Sequence, residues 1–168
     1  DDEATARLAK ELGLSFEGRP PFGATDRESA QHLQDSLNRA KFLLAFSTSV
    51  SPAPYTHPTK EYITGRWTDA LASGVTVVGQ VPNTTTVCEI LWDGATIDID
   101  HADAHAGLAQ VAEAASRWTP EQGERQIRRA LEHLDWRHRF VELCGAMGEV
   151  PAVLKTDCEA MRAEYAAE

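Results

Sequence analysis

Positive charge is scarce in this sequence. Lysine and arginine number 16 against 26 aspartates and glutamates, which gives a formal net charge of −10. A broad nucleic-acid or anionic-membrane surface needs clustered cations that displace counterions. We therefore expect no nucleic-acid partner.

Long apolar runs are also missing. No stretch approaches the roughly 20 apolar residues of a membrane-spanning helix, so we expect no transmembrane segment. The first residues, Asp1-Asp2-Glu3, lack the basic and apolar regions of a signal peptide, and the sequence has no initiator methionine. We expect a cytoplasmic protein and a chain that is a processed, excised or partial piece of a longer one.

Cysteines are few and unpatterned. The three of them lie far apart and form no C-x-x-C pair, which disfavours a disulfide framework and a zinc site. His101 and His105 have a spacing that can bind zinc on a helix. The aspartates around them are more typical of a strand end followed by a helix N-cap, and we prefer that interpretation. We expect neither a metal nor a cofactor.

Alternating short apolar runs and amphipathic segments fill the 168 residues, of which 42% are hydrophobic and 25% charged. Apolar runs predict strands at 14–17, 42–46, 75–78 and 95–99. Helical spacing and capping residues predict helices at 4–12, 26–40, 60–73, 87–91, 105–117, from 119, and 135–147. The segment from Ser47 to Thr59 contains three prolines, which exclude a helix, and loops of that length are often functional.

This alternation predicts an α/β fold, a Rossmann-like parallel sheet with helices on both faces. We expect the sheet domain to occupy residues 1–118 and a helical C-terminal extension, packed on the same domain, to occupy 119–168. About four strands are predicted, whereas a complete nucleotide-binding domain usually has about six. The domain is therefore expected to lack its first βαβ portion.

Two carboxylates stand out in the predicted helix 60–73. Glu61 and Asp69 are eight residues apart, an offset of about 80° at about 100° per residue, so both can lie toward one side of a helix. Glu61 falls near the helix N-terminus, where free N–H groups and the macrodipole favour an anion. The phosphates of a sugar diphosphate would bind there, and the carboxylates would accept hydrogen bonds from its hydroxyls.

Four segments of the sequence resemble elements of one known family. They are Asp69-Ala70-Leu71-Ala72-Ser73-Gly74 with the valine-rich strand after it, Phe16-Glu17-Gly18-Arg19, the stretch Ala40 to Ser47, and Asp135 to Phe140. Together with Glu61 they resemble the C-terminal, donor-binding half of GT-B-type glycosyltransferases, specifically the retaining group 1 enzymes with an E-x7-E motif. The centre of the resemblance lies between residues 61 and 78.

The resemblance implies a metal-independent glycosyl transfer from a nucleotide-diphosphate sugar. Glu61 would be the catalytic residue that holds the donor sugar, and Asp69 would hold the ribose. The diphosphate would lie on the backbone of Thr64 and Gly65, with Arg66 or Arg19 as its cation. Gly18 and Arg19 would lie by the base, and His57 would meet the sugar or its phosphates. An N-terminal acceptor-binding domain, outside these 168 residues, would be needed for transfer.

The sequence departs from the family pattern in two ways. Asp69 replaces the second glutamate and shortens the reach to the ribose, and Tyr62-Ile63-Thr64-Gly65 replaces the usual G-F-G. Two alternatives stay open: an epimerase-like nucleotide-sugar enzyme, and a non-catalytic α/β interaction module whose carboxylates are only surface charge. For Trp67 we expect core packing rather than substrate stacking, and His57 is equally well explained as an exposed loop residue.

Overall fold

Three parallel strands form the centre of the fold. In a computed structural model that describes residues 2–50 and 54–166, β1 (Phe42–Leu44), β2 (Thr76–Gly79) and β3 (Thr96–Asp98) form one sheet in the order β1-β2-β3. Leu43 pairs with Val77, and Val78 pairs with Ile97. The predicted class, α/β with a parallel sheet, is confirmed.

In the described residues, seven helices overlap the predicted segments, and the eighth lies in the predicted C-terminal helical extension, in which no segment was predicted after residue 147. They are α1 (Asp2–Glu11), α2 (Asp26–Leu37), α3 (Gly65–Ala72), α4 (Thr85–Ile90), α5 (Ala104–Ser116), α6 (Pro120–Leu134), α7 (Trp136–Ala146) and α8 (Ala152–Ala166). The capping box expected from the sequence between Thr119 and Gln122 is present at α6, and Thr25, one of two residues expected to cap α2, forms a second box with Glu28. Each satisfies backbone N–H groups that have no partner inside the helix.

Helices cover both faces of the sheet because side chains alternate along the strands. Leu43 and Val77 contribute to a core layer with residues of α2, α3 and α6, in which Trp67, Ala70 and Leu71 are fully buried. Phe42 and Val78 contribute to the opposite layer with Val111 of α5, and α1 packs against α5. The core interpretation of Trp67 is therefore confirmed.

The strand predicted at 14–17 is wrong, and the described residues form three strands rather than four. The amide of Leu14 donates to the carbonyl oxygen of Ala9 at 2.8 Å, which closes the end of α1. The Leu14 side chain still packs on the layer that contains Phe42 and Val78. The alternation in the sequence thus reflects two half-buried side chains, Leu14 and Phe16, between exposed residues of an irregular segment that pairs with no strand.

Buried Gln126 joins α6 to the sheet. Its Nε2 donates to Thr76 Oγ1 at 3.0 Å and to the Gly94 carbonyl at 2.6 Å, and its Oε1 accepts from Trp92 Nε1 at 2.7 Å. We expect Gln126→Leu to lower the free energy of unfolding by about 2–4 kcal/mol, because buried Thr76 and partly buried Trp92 lose their hydrogen bonds to Gln126. Urea denaturation measures the loss.

Gln110→Leu, on the exposed surface of α5, is the matched control and should change the free energy of unfolding by about 0.5 kcal/mol or less. Equal effects of the two substitutions would show that the Gln126 network contributes nothing specific.

The C-terminal helices follow two packing patterns. The first of them, α6, lies against α3, whereas α7 and α8 pack against each other. The domain boundary expected at residue 118 stays a prediction. Across the part of the chain that the structure describes, no helix has both the length and the apolar character needed to cross a membrane.

Candidate functional site

The candidate site lies at the carboxyl edge of the sheet, where the segments that follow the three strands meet. Ligands bind at this edge in open α/β sheets. The segments after β2 and β3 are joined by two hydrogen bonds: His101 Nδ1 lies 2.8 Å from Gln80 Oε1, and the Val81 amide donates to Asp98 Oδ1 at 3.0 Å.

Gly79 brings the segments after β1 and β2 together. A Cβ atom built on Gly79 would overlap the carbonyl oxygen of Ala45, far inside van der Waals contact. The next bond in the ladder, from the Ala45 amide to the Val78 carbonyl, is 2.8 Å long. Only glycine permits this approach, so the position of the β1 segment depends on residue 79.

The prediction that Glu61 lies on a helix is wrong. Helix α3 begins at Gly65, with Thr64 as an extended N-cap (φ −105°, ψ 170°), so Glu61 precedes the helix by four residues. Its carboxylate bonds back to the segment after β1, and the β-branched Ile63 and Thr64 favour extended backbone. The argument that placed Glu61 and Asp69 on one side of a single helix therefore does not hold.

Glu61 instead links the segments that follow β1 and β2. Its Oε1 accepts hydrogen bonds from Ser47 Oγ at 2.7 Å and from Ser49 Oγ, and the two hydroxyl oxygens lie 2.8 Å apart. The backbone of Asn83 also bonds to the carboxylate. We call Ser47, Ser49 and Glu61 the Glu61 cluster.

These donors lower the pKa of Glu61 below its ordinary value of 4.5, with Ser49 the largest cause and Ser47 the second, while desolvation opposes them. Glu61 is therefore ionised at neutral pH. A lowered pKa in the folded state stabilises the protein above about pH 4.5, and that contribution is lost as the pH falls through the folded-state pKa.

The start of α3 carries the other predicted residues. The Thr64 hydroxyl makes no capping bond and has no hydrogen-bond partner among the described residues, although its oxygen is buried. A Cβ on Gly65 would lie 3.8 Å from Asp69 Oδ2, so the Asp69 carboxyl group points toward the first turn. Partial desolvation of that carboxyl group raises the pKa of Asp69. Arg66 is exposed on the same turn.

His57, Gly18 and Arg19 do not belong to the Glu61 cluster. Nδ1 of exposed His57 accepts hydrogen bonds from the amides of Thr59 and Lys60 at 3.2 and 3.1 Å, which form a turn within its own loop. Gly18 has a positive φ of 71° in the segment after α1, and Arg19 beside it is exposed. In the described part of the chain, no hydrogen bond or ion pair joins them to Glu61.

The cap interpretation of the aspartates after β3 is confirmed. Asp103 is the N-cap of α5 and accepts a hydrogen bond from the Ala106 amide at 2.9 Å. His101 precedes the helix and bonds to Gln80, whereas His105 lies within α5. The two histidines therefore do not share a helix.

Sequence reasoning did not identify Ser47, Ser49 or Asn83. A signal was present, since Ser47-Thr48-Ser49 follows directly on a buried apolar strand and so falls at the carboxyl edge. The chain finds no match in comparisons with family models, curated proteins and solved structures. The fold and the site define a parallel α/β protein with an ionised carboxylate fixed at the carboxyl edge of its sheet.

Proposed function

We propose that this chain is the donor-binding half of a GT-B-type glycosyltransferase and binds a nucleotide-diphosphate sugar at the carboxyl edge of the sheet. The observation that carries the proposal is the Glu61 carboxylate, held between the segments that follow β1 and β2, four residues before the first residue of α3. This position of Glu61 supports a Rossmann-like arrangement, in which a carboxylate that binds hydroxyls precedes a helix, α3, whose N-terminus binds an anion.

In this proposal the diphosphate lies at the first turn of α3. The N–H groups there have no partner inside the helix, and the macrodipole adds about half a positive charge. Negative charge grows on the leaving diphosphate as the glycosidic bond to phosphate breaks, so these donors stabilise the transition state. Exposed Arg66 is the nearest candidate cation in this turn. Asp69, whose carboxyl group points toward Gly65, takes the ribose hydroxyls.

Glu61 takes the donor sugar. A carboxylate has about four acceptor positions on its two oxygens. Two serine hydroxyls and the Asn83 backbone occupy three of them. One acceptor position is left for a ligand hydroxyl. This is what a residue that orients a sugar needs. Transfer itself would need the separate acceptor-binding domain, and this chain alone should bind the donor without transferring it.

One observation favours a second candidate, a non-catalytic interaction module. Helix α7 has no buried residue and exposes an apolar stripe at helical spacing, formed by Trp136, Phe140, Leu143 and Met147. Exposed apolar stripes of this kind mark protein contacts. The same stripe also suits the docking of an acceptor-binding domain, so ligand binding separates the two candidates.

The test is a thermal-shift titration with UDP, GDP, ADP and dTDP, repeated with the corresponding nucleotide sugars. Ligand at about 100 times its Kd should add roughly 2.7 kcal/mol and raise the midpoint by several degrees. We expect one nucleoside diphosphate to raise the midpoint in the wild type, and its nucleotide sugar to raise it further. Asp69→Ala should show a smaller shift with the diphosphate. Glu61→Ala should lose the additional shift that the sugar gives.

Glu124→Ala, an exposed acidic position on α6, is the matched control and should respond like the wild type. The donor-site proposal fails if none of the nucleotides shifts the midpoint. It also fails if Asp69→Ala, Glu61→Ala and Glu124→Ala respond alike. The interaction module would then be the better account.

A further inference from the structure

We infer that Ser47 is a positioning residue of the site, whose buried hydroxyl fixes the orientation of the Glu61 carboxylate and selects a hydroxyl donor as its ligand. The claim that Ser47 orients Glu61 follows from the geometry of the chain alone. The claim that the site selects a hydroxyl donor rests on the proposed function, and a separate experiment tests each claim.

Ser47 is held by the fold. It lies three residues after the end of β1, its residue is only 1% exposed, and its hydroxyl contacts Glu61 and Ser49 at once. Ser49 is exposed and reaches the same carboxylate oxygen. Ser47 is therefore the rigid member of the Glu61 cluster, and it sets where the carboxylate oxygen lies.

The number of hydroxyl protons in the Glu61 cluster determines which ligand groups it can bind. The two serine hydroxyls bring one proton each, and the cluster has three contacts: Ser47 to Glu61, Ser49 to Glu61, and Ser47 to Ser49. With both protons directed at the carboxylate, no donor is left for a further partner. A ligand group must bring its own proton, as a sugar hydroxyl does and an ionised phosphate does not. Phosphates are thereby directed to the start of α3.

Hydrogen bonds, and not neighbouring charges, govern the ionisation of Glu61. The causes that act on it are the hydroxyls of Ser49 and Ser47, desolvation and the Asn83 backbone, with no contribution from a charged side chain among the described residues. Removing one hydroxyl must therefore change the affinity of Glu61 for a proton, since no ion pair compensates.

The first experiment is a pH titration of the glutamate side-chain carbons by ¹³C NMR on the full chain, with Glu61→Gln to assign the resonance. We expect Ser47→Ala to raise the pKa of Glu61 and Ser47→Thr to restore it. Ser116→Ala, an exposed serine on α5 whose hydroxyl bonds only to its own helix, should leave it unchanged. If Ser47→Ala does not fold, Ser47→Cys, whose thiol is only a weak donor, tests the same position.

An unchanged pKa of Glu61 in Ser47→Ala, or in Ser47→Cys where that variant replaces it, would overturn the inference. This result does not depend on any ligand. If the wild type binds no nucleotide sugar, the proposed function fails, while the glutamate titration still decides whether Ser47 fixes Glu61.

The second experiment compares binding of the nucleoside diphosphate with binding of its sugar ester, from pH 4 to 8. We expect Ser47→Ala to weaken the sugar ester about tenfold, the usual effect of losing one charge-assisted hydrogen bond. The free diphosphate should bind as in the wild type. The acidic limb of the sugar-ester profile should move to higher pH. If Ser47→Ala weakened binding of the diphosphate and of its sugar ester equally, the proposed selectivity of the Glu61 cluster would be overturned.

Discussion

Gly79→Ala should lower the free energy of unfolding by about 4 kcal/mol or more and leave much of the protein unfolded, because the added methyl group has no space. The new Cβ would overlap the Ala45 carbonyl oxygen. That oxygen belongs to the backbone that continues β1, so relief requires the two strand ends to separate. The hydrogen bond from the Ala45 amide to Val78 would then be lost or stretched. Urea denaturation followed by circular dichroism gives the loss.

Gly145→Ala is the control for this substitution. Gly145 lies within α7, and the nearest atom to an added Cβ is on Val150 at 4.0 Å, an ordinary contact. Alanine favours a helix over glycine by about 0.5–1 kcal/mol, so this variant should be as stable as the wild type or more stable. A Gly79→Ala variant with wild-type stability would contradict the close approach on which the Glu61 cluster depends.

Trp67→Ala is expected to lower the free energy of unfolding by about 3–5 kcal/mol. Trp67 is 1% exposed on α3 and packs in the layer with Ala70, Leu71 and Val77. Its removal leaves a cavity directly beneath the helix whose first turn belongs to the candidate site. The loss should appear as a lower urea midpoint with little change in slope.

Trp136→Ala makes the same chemical change on the surface. Trp136 is 72% exposed on α7, so its removal should change the free energy of unfolding by about 0.5 kcal/mol or less. Similar losses for the two tryptophans would mean that α3 is not anchored through Trp67.

Buried strands and well-capped helices could be predicted because their signals are local. The apolar runs at 42–46 and 75–78 correctly predicted β1 and β2. The capping residues correctly predicted where α2 and α6 begin. The prediction of a strand at 14–17 was wrong because alternation over four residues also occurs in an irregular segment whose Leu14 and Phe16 are half-buried. The start of α3 was placed too early, since helical spacing of apolar residues does not reveal that Thr64 is the N-cap.

The site could be predicted only in part. Thr64, Gly65 and Asp69 do lie together at the start of α3, whereas Glu61 bonds back to the segment after β1. The partners of Glu61 could not be predicted, because Ser47 and Ser49 are 14 and 12 residues away across a proline-rich loop. This loop joins β1 to α3, and the entropy of closing a loop depends only weakly on its length, so the sequence does not show which of its residues meet.

The most direct test of the account is a map of backbone amide shifts by ¹H–¹⁵N NMR, as the nucleoside diphosphate and then its sugar ester are added. The account predicts that the diphosphate perturbs the amides of Thr64, Gly65 and Arg66, and that the sugar ester adds changes at Ser47, Ser49 and Asn83. Changes confined to the α6–α7 side of the molecule, around His133 and His138, would contradict it. So would a spectrum that neither ligand changes.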